Sequence, residues 1–219
     1  MNPSARSRVL DAVRAALARD ANVADASAPA PASDWEPACV PGEELIAGFA
    51  AQVRALGASV AVAPNDAVCV AQLAEYVQRQ KIASVSVHDS PRAQELAEKL
   101  TRVALLSASG AAGAQLKRAD CALLEASALL ADTGSAIVLC ASSGDRLLPY
   151  LPRTCLIVST VDRLFPSLGS QALACIDDAA RKGLRGEAVI ITGPSRTADI
   201  EKKLVLGAHG PAELAIFLR

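Results

Sequence analysis

The chain has 219 residues, 52% apolar but only 3% aromatic, with 22 basic and 23 acidic side chains and a formal charge of −1. That balance gives no electrostatic case for nucleic acid or an anionic membrane, and no apolar run reaches the roughly eighteen residues of a membrane span. The length suits one large core plus an appendage, and a core of Ala, Val, Leu and Ile suits an α/β protein with parallel strands.

Ser4–Asp20 reads as an amphipathic helix with Leu10, Val13 and Leu17 on one face. Asp11 and Arg14 interrupt what would have to be the apolar segment of a signal peptide, so the expected location is cytoplasmic. Ala21–Pro41, with four prolines and no periodicity, reads as a linker. Residues 1–40 are therefore expected to form a helix and flexible linker, either packed on the chain's own domain or serving as a partner-docking arm, and residues 41–219 an α/β domain.

From Pro41 helix and strand alternate. Gly42–Leu56 is a helix stopped by Gly57, Ala58–Ala63 a strand, and Pro64-Asn65-Asp66 opens a helix carrying Val70, Leu73 and Val77. Ile82–Val87 is a strand, Ser90-Pro91 caps a helix, and Arg102–Leu106 is the next strand. The loop Ser107–Gly113 lacks a full G-x-G-x-x-G. Asp120–Leu124 and Ala128–Ala131 are apolar pieces separated by Glu125-Ala126-Ser127, and Asp132-Thr133-Gly134 turns the chain into the strand Ser135–Cys140. After the polar loop Ser142–Arg146 come a strand at Thr154–Ser159 and a helix at Ser167–Lys182. Ala188–Ile191 suits a strand buried on both faces. Ile200, Leu204 and Val205 suit a short helix closed by Gly207, with Thr197 as its cap, and Glu213–Leu218 fits a last strand. Alternation of this kind predicts right-handed crossovers and an open, mostly parallel sheet with helices on both faces.

Thr192-Gly193-Pro194-Ser195-Arg196-Thr197-Ala198-Asp199-Ile200-Glu201, followed by Gly207-Ala208-His209-Gly210-Pro211, resembles the C-terminal signature of the LUD-domain family, in its LutC/YkgG branch of lactate-utilisation proteins. Ala131-Asp132-Thr133-Gly134-Ser135 resembles that family's central motif. The likeness is sharp from about Ala119 onward and looser over 41–113. It implies a NagB/RpiA/CoA-transferase-like fold and an accessory or ligand-binding role in L-lactate oxidation to pyruvate, beside iron–sulfur partner subunits. The alternative it implies is a stand-alone enzyme of that superfamily acting on an acyl-CoA, phosphosugar or folate-like anion. Whether the subunits pair as a homodimer is left open.

Cys39, Cys69, Cys121, Cys140, Cys155 and Cys175 never form a C-x-x-C pair, so they read as small buried hydrophobes, and neither metal nor cofactor is expected. Three polar loops follow apolar strands, and in an open α/β sheet such loops line the ligand crevice. They nominate Asp132, Thr133, Gly134, Ser135, Arg146, Gly193, Ser195, Arg196, Thr197 and Asp199 as ligand-binding residues. The arginines would meet a carboxylate or phosphate, the hydroxyls and glycine N–H groups adding donors. Each arginine read singly is equally an ordinary solvated charge. Glu125 is the weak nucleophile candidate by analogy with CoA-transferases, and otherwise a turn glutamate. His209 is a weak base candidate that serves as well to hold a turn, and His88 receives no role. Walker, zincin and G-x-S-x-G motifs do not occur.

Overall fold

The computed structural model describes residues 5–20, 42–108, 113–184, 186–198 and 204–219. Two units divide the chain at residues 35 and 36. The first contains helix α1 (Ala5–Asp20), on which Val9, Leu10 and Val13 are exposed and Arg14 meets Asp11 one turn back at 3.0 Å. The expected linker, Ala21–Pro41, lies outside the described residues.

The second unit begins with α2 (Gly42–Ala55), which buries Phe49, Ala50 and Val53 and carries Glu43 and Glu44 in its first turn, where the helix dipole favours them. It closes at Gly57, whose φ of 79° a Cβ would strain. Strand β1 (Ser59–Val62) leads to α3 (Asp66–Arg79), capped by Asn65, whose side chain accepts the Val68 N–H. Then come β2 (Ser84–Val87), α4 (Pro91–Glu98) with Ser90 as its cap, β3 (Ala104–Ser107), the single turn α5 (Gly113–Leu116) and β4 (Cys121–Glu125). Next are β5 (Ala128–Leu130), β6 (Ser135–Cys140), β7 (Thr154–Ser159), β8 (Leu164–Phe165), α6 (Ser170–Arg181) and β9 (Glu187–Ile191). The hairpin β10 (Arg196–Ala198) and β11 (Leu204–Leu206) precedes β12 (Glu213–Leu218).

Six strands form a parallel sheet in the order β1-β12-β7-β4-β2-β3. Strand alternation sends Ala122, Leu124, Cys155, Ile157, Leu214 and Ile216 to one face, packed with Phe49 and Val53 of α2. Leu123, Leu156, Val158 and Phe217 go to the other, under Leu73 and Val77 of α3 and Leu96 of α4. Tyr76 adds an edge-to-face contact to Phe217, with ring centroids 5.9 Å apart. Both faces are dry, which is why these strands read as continuous apolar runs.

A second sheet, β8-β5-β6-β9, lies on the α2 side, with β6 antiparallel to both β5 and β9. Leu129, Ala136, Val138 and Val189 join the α2 cluster, whereas Ala128, Leu130 and Ile137 face Ala172, Cys175 and Ile176 of α6. The parallel α/β sheet with helices on both faces is thus as expected, and this second sheet is the addition. Its origin is local: Gly134, at φ 65°, reverses the chain between β5 and β6.

Three expectations need correction. Strand β9 is an antiparallel edge strand in which Val189 is buried but Ile190 is half-exposed, not a strand covered on both faces. The helix expected around 197–207 is a hairpin: Arg196 pairs with Leu206, Thr197 with Val205 and Ala198 with Leu204. Thr197 is therefore a strand residue and not a helix cap, because sheet pairing outweighs a short, ambiguous apolar period. Asp199, with residues 200–203, lies outside the described residues. Helix α6 starts at Ser170, three residues later than Ser167, with Gly169 in extended backbone at its cap.

Candidate functional site

The three nominated loops fall into two places. Strand β6 is antiparallel, so Ser135 at its start and Ser142 beyond its end are at least ~17 Å apart along about 3.4 Å per residue. The rule that polar loops gather at strand carboxyl ends holds for the parallel sheet alone.

The first place is the end of α2. The Ser135 hydroxyl donates to Thr133 Oγ1 at 2.8 Å and lies 2.7 Å from Thr192 Oγ1, while Thr133 donates to Asp132 at 3.2 Å. Gly134 presses on the α2 backbone: a Cβ there would sit 2.9 Å from the Val53 nitrogen. Gly193, at φ 81°, lies against Leu56. The Arg196 guanidinium donates to the Leu56 carbonyl, one of the carbonyls left free where α2 ends. Ser195 is tied by its backbone, donating its N–H to Pro211 and accepting from Gly207. Gly193, Ser195 and His209 also line a groove of about 210 Å³ beside Pro149 and Tyr150.

The second place is the carboxyl ends of β2 and β4, adjacent parallel strands. The chain leaves them toward opposite sides of the sheet, which opens a crevice of about 580 Å³. Glu125, the last residue of β4, points into it with its side chain only 13% exposed. Arg163, from the 3₁₀ turn after β7, reaches the Glu125 carboxylate at 2.6 Å and the Ala126 carbonyl at 3.3 Å, and remains 40% exposed. His88, just past β2, is buried beside them. Its Nε2 lies 2.9 Å from the Leu139 carbonyl and its Nδ1 3.4 Å from the Glu125 backbone nitrogen. With Nδ1 accepting from the Glu125 N–H, Nε2 is the nitrogen that donates to Leu139, and both ring nitrogens are engaged by backbone.

The loop Ser142–Arg146 frames this crevice. Asp145 is fully buried and accepts from the Asp89 N–H at 3.0 Å and the Ser142 hydroxyl at 2.8 Å, tying the exit of β6 to the exit of β2. Gly144 is indispensable to that approach, since a Cβ would fall 1.9 Å from the Ala108 carbonyl oxygen. Arg146 turns away and pairs with Glu187 at 2.8 Å. The arrangement sets a half-exposed cation and a carboxylate at one open space, with the His88 ring held behind them by its backbone partners. It suits holding a small organic anion.

Sequence reasoning found Glu125 but missed its setting. Arg163 carries no signal in the sequence, because a non-local turn brings it to β4. His88 had one: it follows β2 as Glu125 ends β4, and those strands pair. Among the described residues, no cluster of three or more His, Cys, Asp or Glu is arranged to hold a metal. Cys121, Cys140 and Cys155 are buried free thiols, and burial pushes Cys140 up to about 11 and Cys155 to about 12.

The LUD-domain sequence pattern matches residues 46–218. The chain is 29% identical over 174 residues to the lactate utilization protein C of Geobacillus thermodenitrificans, covering 78% of this chain and 67% of that one. It is 35% identical over 88 residues to the protein of the same name from Geobacillus kaustophilus, covering 39% of this chain and 36% of that one. The chain thus spans about two thirds of the first relative and about a third of the second. A crystal structure of a DUF162-family protein from Deinococcus radiodurans shares the fold, with a TM-score of 0.62 at 19% identity over 82% of this chain and 99% of that one.

Proposed function

This chain belongs to the LUD-domain family, and on that premise we propose that it serves lactate utilisation in the cytoplasm as an accessory, ligand-binding subunit beside iron–sulfur partner proteins. The observation that carries the reading is the Arg163–Glu125 pair at the mouth of the carboxyl-end crevice. The guanidinium would receive the carboxylate of a small hydroxy acid, and Glu125 would sit near its hydroxyl. The name of the relatives, lactate utilization protein C, supports the substrate class. Cysteines at least fifteen residues apart offer no C-x-x-C grip for a cluster, which supports a reading in which partners carry the electrons.

The test is isolation of the tagged chain from its source cells grown on L-lactate. Iron–sulfur proteins should co-isolate, and the preparation should reduce an artificial acceptor when L-lactate is added. Arg163→Ala should weaken L-lactate binding at least tenfold by calorimetry. A chain that isolates alone and leaves lactate unbound overturns the proposal.

Glu125 favours a second reading, an independent enzyme of the CoA-transferase-like superfamily, because a partly buried carboxylate at a strand end in a crevice suits a nucleophile. Turnover of an acyl-CoA by the purified chain, lost in Glu125→Gln, would establish it.

A further inference from the structure

The opposite edge of the parallel sheet holds a larger space with a different character. An open basin of about 770 Å³ lies at the amino ends of β2, β4, β7 and β12. Lys81, Lys117, Arg118 and Arg153 line it. Among the described residues none of these four makes an ion pair within 4.0 Å, although the chain as a whole carries slightly more acid than base. Two carboxylates face them, Asp120 and Glu213. Asp120 is already committed, accepting from the Ala83 N–H, the Ser84 N–H and the Ser84 hydroxyl, each at 2.9 Å. Tyr150, 50% exposed, and Leu206, 54% exposed, also line the basin, adding an aromatic ring and an aliphatic side chain to the cations.

Lys81 supplies an independent observation. Three helices of this chain close with the same paired bonds. After α2, Ala58 and Gly57 donate to Val53 and Arg54; after α6, Leu184 and Gly183 donate to Ala179 and Ala180. After α3, Ile82 and Lys81 donate to Val77 and Gln78. This closure requires a left-handed residue, normally glycine. The chain uses Gly57 at φ 79° and Gly183 at φ 82°, but places Lys81 at φ 54°. Arg102, at φ 63°, is the other non-glycine described in that region, and it lies outside this basin. A lysine held where glycine is cheaper is a strained residue, and this one lines the same basin as the other unpaired cations.

We infer that this basin binds a purine nucleoside diphosphate group, its two phosphates among Lys81, Lys117, Arg118 and Arg153 and its base against Tyr150. Four cations against one uncommitted carboxylate match a polyanion better than a single carboxylate. The cavity has the volume of a small-molecule site, and an exposed ring beside a phosphate cradle is what stacking needs. The basin opens on the sheet edge opposite the crevice, so it stands or falls separately from the lactate reading.

The experiment is calorimetry of the intact chain with ADP, inorganic pyrophosphate and adenosine as probes. ADP should bind one to one, pyrophosphate more weakly, and adenosine weakest. K117Q/R118Q, both exposed, should weaken ADP and pyrophosphate at least tenfold with an unchanged melting temperature. Tyr150→Ala should weaken ADP several-fold and leave pyrophosphate unaffected. Lys81→Gly should raise the melting temperature while lowering ADP affinity, opposite signs that a purely structural lysine would not give. Coenzyme A, which carries an ADP moiety, should displace ADP if the natural source is a carrier; free nucleotide is the source if it does not. Absence of ADP binding at millimolar concentration overturns the inference. So does binding that survives all the basin variants and disappears in Arg163→Ala.

Discussion

The Ser135 hydroxyl lies 2.7 Å from that of Thr192, joining the turn before β6 to the turn after β9. The two residues belong to separate signature segments, so one hydrogen bond fastens the segments to each other beside the end of α2. Ser135 is buried and also donates to Thr133. Ser135→Ala should therefore cost about 1 kcal/mol in urea denaturation. A double-mutant cycle with Thr192→Val should return a coupling of about 0.5–1.5 kcal/mol. Additive effects would mean that the hydroxyls do not act together.

Two glycines should respond to the same substitution with opposite signs. Gly134 has φ 65°, and a Cβ there would meet the α2 backbone, so Gly134→Ala should destabilise by about 1–3 kcal/mol. Gly48 sits inside α2 with nothing within 4 Å of an added Cβ. Gly48→Ala should stabilise by about 0.5–1 kcal/mol, because alanine loses less backbone freedom. Chemical denaturation of the two variants checks both signs.

Arg196 is committed to the Leu56 carbonyl, where a cation also meets the negative end of the α2 dipole. Arg196→Ala should lower stability by about 0.3–1 kcal/mol. L-lactate affinity, read by calorimetry, should not change. A fall in affinity at constant stability would instead assign the guanidinium to a ligand.

The buried thiols set an alkaline limit. Burial raises Cys140 to about 11 and Cys155 to about 12, against an ordinary value of 9.0. Below pH 9.0 both folded and unfolded chains hold these protons, and the stabilising contribution is fully present. Above it the unfolded chain releases them first, so stability falls by about 1.4 kcal/mol per pH unit per thiol. The loss for Cys140 ends near pH 11, and that for Cys155 near pH 12. Urea midpoints between pH 8.5 and 10.5 should fall, and the slope should shrink in Cys155→Ala. Iodoacetamide at neutral pH should leave both thiols unmodified until the chain is unfolded.

Much of the fold was readable because the chain alternates periods cleanly. Thr154–Ser159 and Glu213–Leu218 are strands at their expected bounds, and Asn65, Ser90 and Gly57 mark helix ends as their chemistry predicts. The site was less readable because direction is not written in a strand's composition. Read as parallel, β6 and β9 would send their loops to one rim; as antiparallel strands they send them to opposite ends. The partners were hidden too, since Arg163 reaches Glu125 and Arg146 reaches Glu187 only through tertiary contact.

Strand β12 lies in the interior of the parallel sheet, between β1 and β7, yet it is the last of the six to be synthesised. Until it arrives β1 has no neighbour and β7 presents an open edge. Two adjacent pairings must therefore close late and at long sequence separation, which is the slowest class of contact to form. A partly made domain would expose parallel strand edges to other chains, the situation in which aggregation competes with folding. The central placement of this strand makes folding of the sheet an event that follows synthesis of the whole domain.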